Sequence, residues 1–383
     1  MLILFLILIF IRPFISSLAF PYLNTIYASS LFCFLLIWVL LKGLPLENIK
    51  QLKYPLIIFI IALAISSIFS YNRLASAKEL YKYAGGLLIF MFCTTLSAGQ
   101  RNRVIQGIIL AGFLISILAI HQYFFGFSHL LNYINKQGIT DAFALDYIER
   151  RRVFFPFVTP NTLAGYLIMI LPLSAGYSGA KKGIFSKIQP IILACVFFSL
   201  LLTKSLGALI SLFFSFSIYF YAAGKLTKRK LLLLLGLSIA IIAIFILRTT
   251  IQKAHSTVEF SSLMRLTYWK GALGIIKLKF FTGSGLGNFN LPYARYAHNT
   301  YLQIFAETGI LGILAFLWFI YKLLKTGFLR LSRNNQDFLL FGLLLSNLAF
   351  LLHNLVDFTF FLPEVSLTWW LLAGILFSLP QLS

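Results

Sequence analysis

The chain has 383 residues, 60% of them hydrophobic and only 11% charged, and this balance excludes a soluble globular protein. A mean hydropathy of +0.91 is typical of a polytopic membrane protein. The net charge of +22 does not indicate a nucleic-acid partner, because the basic residues are dispersed over the connections between apolar segments. The three cysteines lie inside apolar segments and the five histidines are scattered, so the sequence predicts no disulfide framework, no metal site and no cofactor.

The apolar segments are close to the ~20 residues of a membrane-spanning helix, whereas barrel strands would be about ten residues long and alternating. The sequence therefore predicts an all-α polytopic membrane protein with one membrane domain over residues 1–383. The twelve predicted spans have the approximate limits 2–19, 28–44, 55–70, 83–99, 104–125, 160–178, 187–203, 206–222, 230–248, 299–322, 337–356 and 364–380. The first is interpreted as a retained anchor and not as a signal peptide, because no basic residues precede its apolar stretch.

Lysine and arginine set the predicted orientation, because cytoplasmic connections carry an excess of these residues. With the N-terminus inside, half of the 32 basic residues fall in inner connections, where they also favour anionic lipid head groups. Both termini then lie inside, and two long connections, 126–159 and 249–298, lie outside. The basic residues of these two outer loops are not required by topology and are therefore informative about function.

The first outer loop ends in positive charge beside a predicted helix start. The run Arg150–Arg152 precedes Thr159, Pro160 and Asn161, and threonine as N-cap with proline in the first helical position is typical of a helix N-terminus. The positive end of the sixth span would face outward beside the arginines. An anion would be well placed there.

The second outer loop begins with apolar residues at helical spacing. From Leu263 to Phe280 they predict an amphipathic helix on the outer leaflet, with Trp269 at head-group depth. The segment Gly283–Gly287 follows as a flexible turn whose backbone could approach a ligand, although such glycines more often form a plain loop. A nucleotide-binding fingerprint is excluded, because no strand precedes these glycines.

The loop leads to His298, which stands at the start of a long apolar helix between Arg295 and Asn299. A titratable group at the membrane boundary suggests chemistry on a substrate that is part lipid and part polar. Helical spacing places Gly309 on the same face as His298, where it would permit close helix contact. Glu307 falls on roughly the opposite face and is expected to anchor a neighbouring helix.

Four separated elements of the chain resemble the O-antigen ligase and polymerase superfamily of bacterial envelope glycosyltransferases. The most specific is GSGLGNF followed by HNTYLQIFAETGILG, which is similar to the family's glycine element and His-Asn helix. The others are Arg152 to Asn161, Arg265 to Trp269, and the late polar patch of His353, Asn354 and Asp357, and the resemblance covers about residues 66 to 363. One departure is Ser-Leu-Gly-Ala at 205–208, where Leu206 replaces the usual arginine and only nearby Lys204 offers a charge.

The resemblance implies a GT-C-like bundle in the bacterial inner membrane, with its long outer loop between helices 9 and 10. It implies transfer of a glycan from a polyprenyl-diphosphate donor to a glycan or glycolipid acceptor on the outer face, without metal. His298 would be the general base or would orient the acceptor hydroxyl. The expected substrate-binding residues are Arg152, Arg265, Arg295, Asn299, Asn161 and Asp357, with the arginines on the diphosphate.

Two questions stay open from the sequence. The acceptor can be a lipid A core sugar, the end of another polymer repeat or a protein side chain. The missing arginine at position 206 makes a lipid A core sugar the less favoured of these acceptors. Direct inversion is expected, because the loops hold no convincing pair of carboxylates for a covalent intermediate. The alternative function is a transporter or flippase for lipid-linked glycan or a small anion, for which interrupted helices and midplane charges would be the indication.

Overall fold

The computed structural model describes residues 1–138, 142–180, 184–222, 261–333 and 337–379, together with Thr227, Arg229, Leu232, Gly236 and Ala243. The protein is about 80% helical, and the described residues contain no β-strand, which confirms the all-α prediction. The described helices are α1 Leu2–Ile11, α2 Pro21–Lys42, α3 Lys53–Ile68, α4 Arg73–Thr94, α5 Ala98–His121, α6 Phe127–Gln137, α7 Ala142–Glu149, α8 Pro160–Ala180, α9 Ile184–Leu202, α10 Leu206–Ala222, α11 Ser261–Leu278, α12 Thr300–Arg333, α13 Phe338–His353 and α14 Pro363–Ser378.

Four described helical stretches are long and apolar enough to cross a bilayer, which supports an integral membrane protein. They are Pro21–Lys42, Lys50–Ile68, Ala98–Ile134 and Thr300–Ser332. Four shorter apolar stretches are Leu2–Phe14, Lys187–Leu202, Leu206–Ala222 and Phe338–His353. The ninth predicted span, 230–248, and the start of the second outer loop, 249–260, lie outside the described residues, apart from the isolated positions given above. The total of twelve spans stays a prediction.

The first predicted span, 2–19, is wrong in its length. Helix α1 ends at Ile11, and residues Arg12–Phe14 form a 3-10 turn. Pro13 cannot continue the hydrogen-bond ladder, and Arg12 turns into the protein, where its Nη2 lies 3.2 Å from Glu364 Oε2. A helix of ten residues is about 15 Å long, half the thickness of a bilayer core.

Both outer loops contain helices among their described residues. The first contains helices α6 and α7, which bury Ile134 and Ile148. The predicted amphipathic helix of the second loop is confirmed as α11. One face of α11 buries Ala272 and Ile276 against the protein, while Leu266 and Leu273 on another face are about half exposed. The described parts of both loops therefore contain helix that packs on the protein.

Long-range packing fixes the bundle. Helix α13 lies along α8, α14 along α4 and α12 along α3. A cluster of aromatic rings fills the centre, where the Trp369 ring lies 5.6 Å from both Phe350 and Phe360. Such ring pairs add directional contacts to the apolar burial.

Polar contacts between elements gather at the two ends of the bundle. We call one the histidine end, and its contacts join Arg152 to Thr203, Thr300 to Asn354, and Lys82 to Phe361. The opposite end joins Asn48 to Thr94, Arg101 to Ser378, and Arg330 to Leu376 and Phe377. Helices α8, α10, α12 and α14 all begin at the histidine end, as the predicted alternation of spans requires.

Candidate functional site

His298 is held in an unusual backbone conformation just before α12. Its φ is +49°, a left-handed value that a residue other than glycine adopts only where neighbouring contacts impose it. Asn299 caps the helix, because its Oδ1 accepts the N–H groups of Tyr301 and Leu302 at 3.0 Å each. On the other side, the N–H of Ala297 donates to Gln303 Oε1 at 3.1 Å. The cap thus aims the imidazole of His298, and the side-chain oxygen of Asn299 is already engaged with the helix.

The imidazole of His298 lies between two aromatic rings. Tyr268 of α11 stacks on it with a centroid distance of 5.3 Å, and Phe358 meets it edge-on at 4.5 Å. Its Nδ1 is buried and makes no hydrogen bond with any described residue. Burial lowers the pKa of His298 from 6.5 to about 4, although nearby Asp357 raises it and Arg265 lowers it further. The ring is therefore neutral at pH 7 and able to accept a proton.

Arg265, His353 and Asp357 form, with His298, a group that we call the histidine cluster. Asp357 Oδ2 lies 3.7 Å from Arg265 Nη2 and 3.9 Å from His353 Nε2, and its Oδ1 accepts the N–H of Phe358 at 2.8 Å. Asp357 and His353 are each 1% exposed. These distances make Asp357 the residue that orients Arg265 from α11 against the end of α13.

Several polar atoms of the histidine cluster are buried without a hydrogen-bond partner among the described residues. They are Arg265 Nε, His298 Nδ1 and Asp357 Oδ2. The His353 ring packs against Gly165 and Gly207, and backbone groups of Asn161 and Gly207 interact with it. Unpaired buried polar atoms are costly and usually mark a place where a ligand or water binds.

Arg152 lies at the histidine end, close to the start of α8. Its Nε donates to the Thr203 carbonyl and its Nη2 to Asn161 Oδ1, both at 3.1 Å, and its guanidinium lies over the Tyr147 ring. Burial raises the pKa of Tyr147, which also feels the charges of Arg152 and Asp357. Tyr147 therefore lies within electrostatic range of both Arg152 and the histidine cluster, and Asn161 holds the arginine in position.

The turn before α8 follows the prediction from its sequence. Thr159 Oγ1 accepts the N–H of Thr162 at 3.2 Å, and α8 begins at Pro160. Leu206 is the first residue of α10, and Lys204 two residues earlier donates its Nζ to the carbonyl of Arg150 at 2.5 Å. Lys204 is exposed, so its charge lies at the protein surface at the histidine end.

Helix α12 is interrupted, which corrects the predicted continuous span 299–322. Gly309 has φ +70° and ψ −173° inside it. The glycine turn fills the gap: the N–H groups of Ser284 and Gly285 donate to the carbonyls of Ala306 and Glu307, at 2.9 and 3.1 Å. The N–H of Ile310 in turn donates to Phe280 at 2.9 Å. Gly283 thus lies directly against the backbone of α12, and Gly309 lies at the break, where its α-carbon meets the backbone of Phe281.

Arg295 and Glu307 line a separate cavity of about 290 Å³, which we call the lysine cavity. Glu307 is fully buried, with Oε2 accepting the N–H of Gly287 at 3.0 Å and Oε1 accepting Gln303 Nε2 at 2.9 Å. It anchors the glycine turn, not the neighbouring helix that we expected. Arg295 lies over the Tyr296 ring at 5.8 Å in the wall of this cavity.

Sequence reasoning missed the lysine cavity. Its remaining charged residues are Lys78, Glu79 and Lys82 of α4, and Lys82 Nζ lies 2.7 Å from Glu79 Oε2. A signal was present, because three charged residues within two turns at the edge of a predicted span are costly in lipid. Their meeting with Arg295 and Glu307, more than two hundred residues along the chain, could be seen only in the fold.

Residues 191–317 match the family model described as O-Antigen ligase. The matched segment includes Arg265, Arg295, His298 and Asn299, whereas Arg152, Asn161 and Asp357 lie outside it. No curated protein and no solved structure shows significant similarity to the chain. The matched residues hold both the glycine turn and the His298 helix start, so this part of the chain is similar to the O-antigen ligase family.

Proposed function

We propose that the protein transfers a glycan from a polyprenyl-diphosphate donor to an acceptor hydroxyl. The observation that carries this is His298, a neutral imidazole with an unpaired Nδ1, within electrostatic reach of Arg265. A base that is uncharged at neutral pH can take a proton from a hydroxyl, and a guanidinium can stabilise the diphosphate that departs. The family match supports a glycosyl-transferring enzyme in a membrane.

The proposed step is a single displacement at the anomeric carbon. The acceptor oxygen forms a bond to that carbon while the bond from carbon to the diphosphate oxygen breaks. The electron pair of the broken bond leaves with the diphosphate, and the hydroxyl proton passes to His298. Such a step inverts the configuration and needs no metal.

The arginines divide into two groups in this proposal. Arg265 and Arg152 bind the diphosphate, and their guanidiniums are held by Asp357 and Asn161, at 3.7 and 3.1 Å. Two preorganised arginines on one anion give bidentate contacts at a low entropic cost. Arg295 lies in the wall of the lysine cavity and is not included in the diphosphate site.

We further propose a GT-C-like bundle of twelve spans in the bacterial inner membrane, with the histidine end on the outer side. The excess of basic residues in the connections of the opposite end supports this orientation. The polyprenyl tail would lie against the exposed apolar side chains at the histidine end, where Leu266 and Leu273 of α11 are about half exposed.

The transporter alternative gains one observation, the interrupted helix α12. In transporters the free backbone groups at such a break bind ions or substrates. Here the carbonyls of Ala306 and Glu307 and the N–H of Ile310 are bonded to the glycine turn, and Ser66 Oγ also donates to the Glu307 carbonyl at 2.6 Å. A break whose polar groups are paired within the protein favours a structural role over translocation.

The test uses purified protein in liposomes with a polyprenyl-diphosphate oligosaccharide and separate acceptors, with the products resolved by size. A ladder of lengthening glycan identifies a polymerase, and a single addition identifies a ligase. His298→Ala should reduce transfer roughly 10²- to 10⁴-fold, the usual contribution of a general base. His129→Ala removes an exposed histidine of α6 and serves as the control. Absence of any covalent product, across several donors, would favour the transporter, and full activity in His298→Ala would end the catalytic assignment.

A further inference from the structure

The lysine cavity lies at the histidine end, but outside the histidine cluster. It is enclosed by the start of α4, the segment around Gly287 and Arg295, and the first two turns of α12. Its volume of about 290 Å³ is close to the lower limit for small-molecule sites. The proposed transfer leaves this cavity without a role, although it holds five charged residues.

The charges in the cavity do not cancel. Lys82 is paired with Glu79 at 2.7 Å, and both oxygens of Glu307 accept hydrogen bonds from the protein. Among the described residues, no carboxylate lies within ion-pair distance of Lys78 or Arg295. The cavity therefore presents surplus positive charge to whatever enters it. A phosphate or carboxylate would be attracted and would gain charge-assisted hydrogen bonds.

The remaining walls suit a sugar ring. Tyr296, Phe289 and Phe361 contribute aromatic surface, against which the C–H face of a sugar can pack. Glu79 supplies carboxylate oxygens for sugar hydroxyls, beside the ammonium of Lys82. Polar and charged groups beside apolar surface can fix both the position and the orientation of a small molecule.

One aromatic ring connects the cavity wall to the histidine cluster. Phe358 stacks on Tyr296 with a centroid distance of 4.4 Å and meets His298 at 4.5 Å. The Tyr296 and His298 rings are therefore separated by a single aromatic ring, which is comparable to the size of one sugar unit. A ligand anchored in the lysine cavity could therefore present a hydroxyl to His298 from the side opposite to its own charged group.

We propose that the lysine cavity binds an anionic sugar of the acceptor, a saccharide that carries phosphate or carboxylate, and so selects which hydroxyl reaches His298. Lys78, Lys82 and Arg295 recognise the anion, and the aromatic wall receives the ring. The role of the cavity in selecting the acceptor rests on the proposed glycosyl transfer. Binding at the cavity can be tested without turnover.

Binding is measured first, by titrating the protein in lipid nanodiscs with glucose 6-phosphate, glucuronate and glucose. We expect the two charged sugars to bind more tightly than glucose, and the stronger of the two identifies phosphate or carboxylate as the natural anion. Arg295→Gln and Lys78→Gln, at exposed positions that should not perturb folding, should each weaken the charged sugars roughly tenfold. Lys270→Gln removes an exposed lysine of α11 outside the cavity and should leave binding unchanged.

Equal binding of glucose and the charged sugars would overturn the proposal, as would unchanged affinity in both cavity variants. Transfer assays then separate the two levels of inference. If the charged sugars bind at the cavity but no donor gives a product, the proposed transfer fails and the site stands. If transfer proceeds, Lys78→Gln should raise KM for a charged acceptor more than for a neutral one, while KM for the donor stays the same. An equal effect on both acceptors would overturn the cavity's role alone.

Discussion

Transfer should persist at acidic pH, because burial keeps His298 neutral well below the ordinary titration range of histidine. The pKa of His298 is lowered from 6.5 to about 4. At pH 5 such a group is about nine-tenths neutral, whereas an unperturbed histidine is only about 3% neutral. We therefore expect kcat/KM, measured in proteoliposomes between about pH 3 and pH 8, to fall on the acid side with a midpoint near pH 4.

Folding stability changes over the same range and must be measured in parallel. The pKa of His298 is lower in the folded state than in the unfolded state, so its contribution to stability is complete above pH 6.5. That contribution is lost as the pH falls from 6.5 through about 4, because the unfolded chain binds the proton first. Unfolding followed by tryptophan fluorescence at each pH separates this loss from the titration of activity.

Two substitutions test the assignment of this titration to His298, because they should move the acid midpoint of kcat/KM in opposite directions. Asp357→Asn removes the negative charge that raises the pKa of His298, so the midpoint should move to lower pH. Arg265→Gln removes the positive charge that lowers it, so the residual activity should titrate at higher pH. An acid limb near pH 6.5 in the wild type, or shifts of the same sign in both variants, would refute the assignment of the titration to His298.

Three further predictions concern the frame around the site. Gly309→Ala should lower the midpoint of thermal unfolding, because a residue with a side chain at this positive φ costs roughly 1–3 kcal/mol. Gly85→Ala, at an open position of α4, is the control and should leave the midpoint unchanged. Equal midpoints in the two variants would contradict the interrupted helix. Glu364→Gln leaves the charge of Arg12 buried without its ion pair and should lower the free energy of unfolding by about 3–5 kcal/mol. Chemical unfolding measures this change, and an unchanged free energy would mean that the pair is not formed. Asn161→Ala removes the side chain that holds the arginine before α8 and should raise KM for the donor roughly two- to tenfold at nearly constant kcat, whereas a fall in kcat alone would contradict a binding role.

Sequence patterns predicted those features that depend on neighbouring residues. The start of α8 followed from threonine and proline at 159 and 160, and α11 followed from the spacing of its apolar residues. The interruption of α12 was not predicted, because the residues from Gly309 to Tyr321 continue as an apolar run and glycine occurs in many membrane helices. Only the docking of the glycine turn, about twenty residues earlier in the chain, makes the break favourable.

The site was predicted in its parts but not in its grouping. Arg265 and Asp357 were named separately, and their distance of 3.7 Å depends on how α11 meets the end of α13. Arg295 was expected beside Arg265 because it is only three residues before His298. The chain turns sharply at His298, and Arg295 lies in the lysine cavity as a result. Where the backbone departs from regular helix, the spacing of residues along the chain does not predict the direction in which their side chains point.

The pairing of Arg12 with Glu364 also bears on the order in which the protein can assemble. The two residues are 352 positions apart, so the ribosome must synthesise α2 to α13 before the carboxylate exists. The other described partners of Arg12 lie in α2, where Asn24 Oδ1 accepts its Nη2 at 2.9 Å and the Tyr27 ring lies 4.8 Å away. Contacts with α2 are therefore available to the charge early in synthesis, and α14 completes its ion pair later.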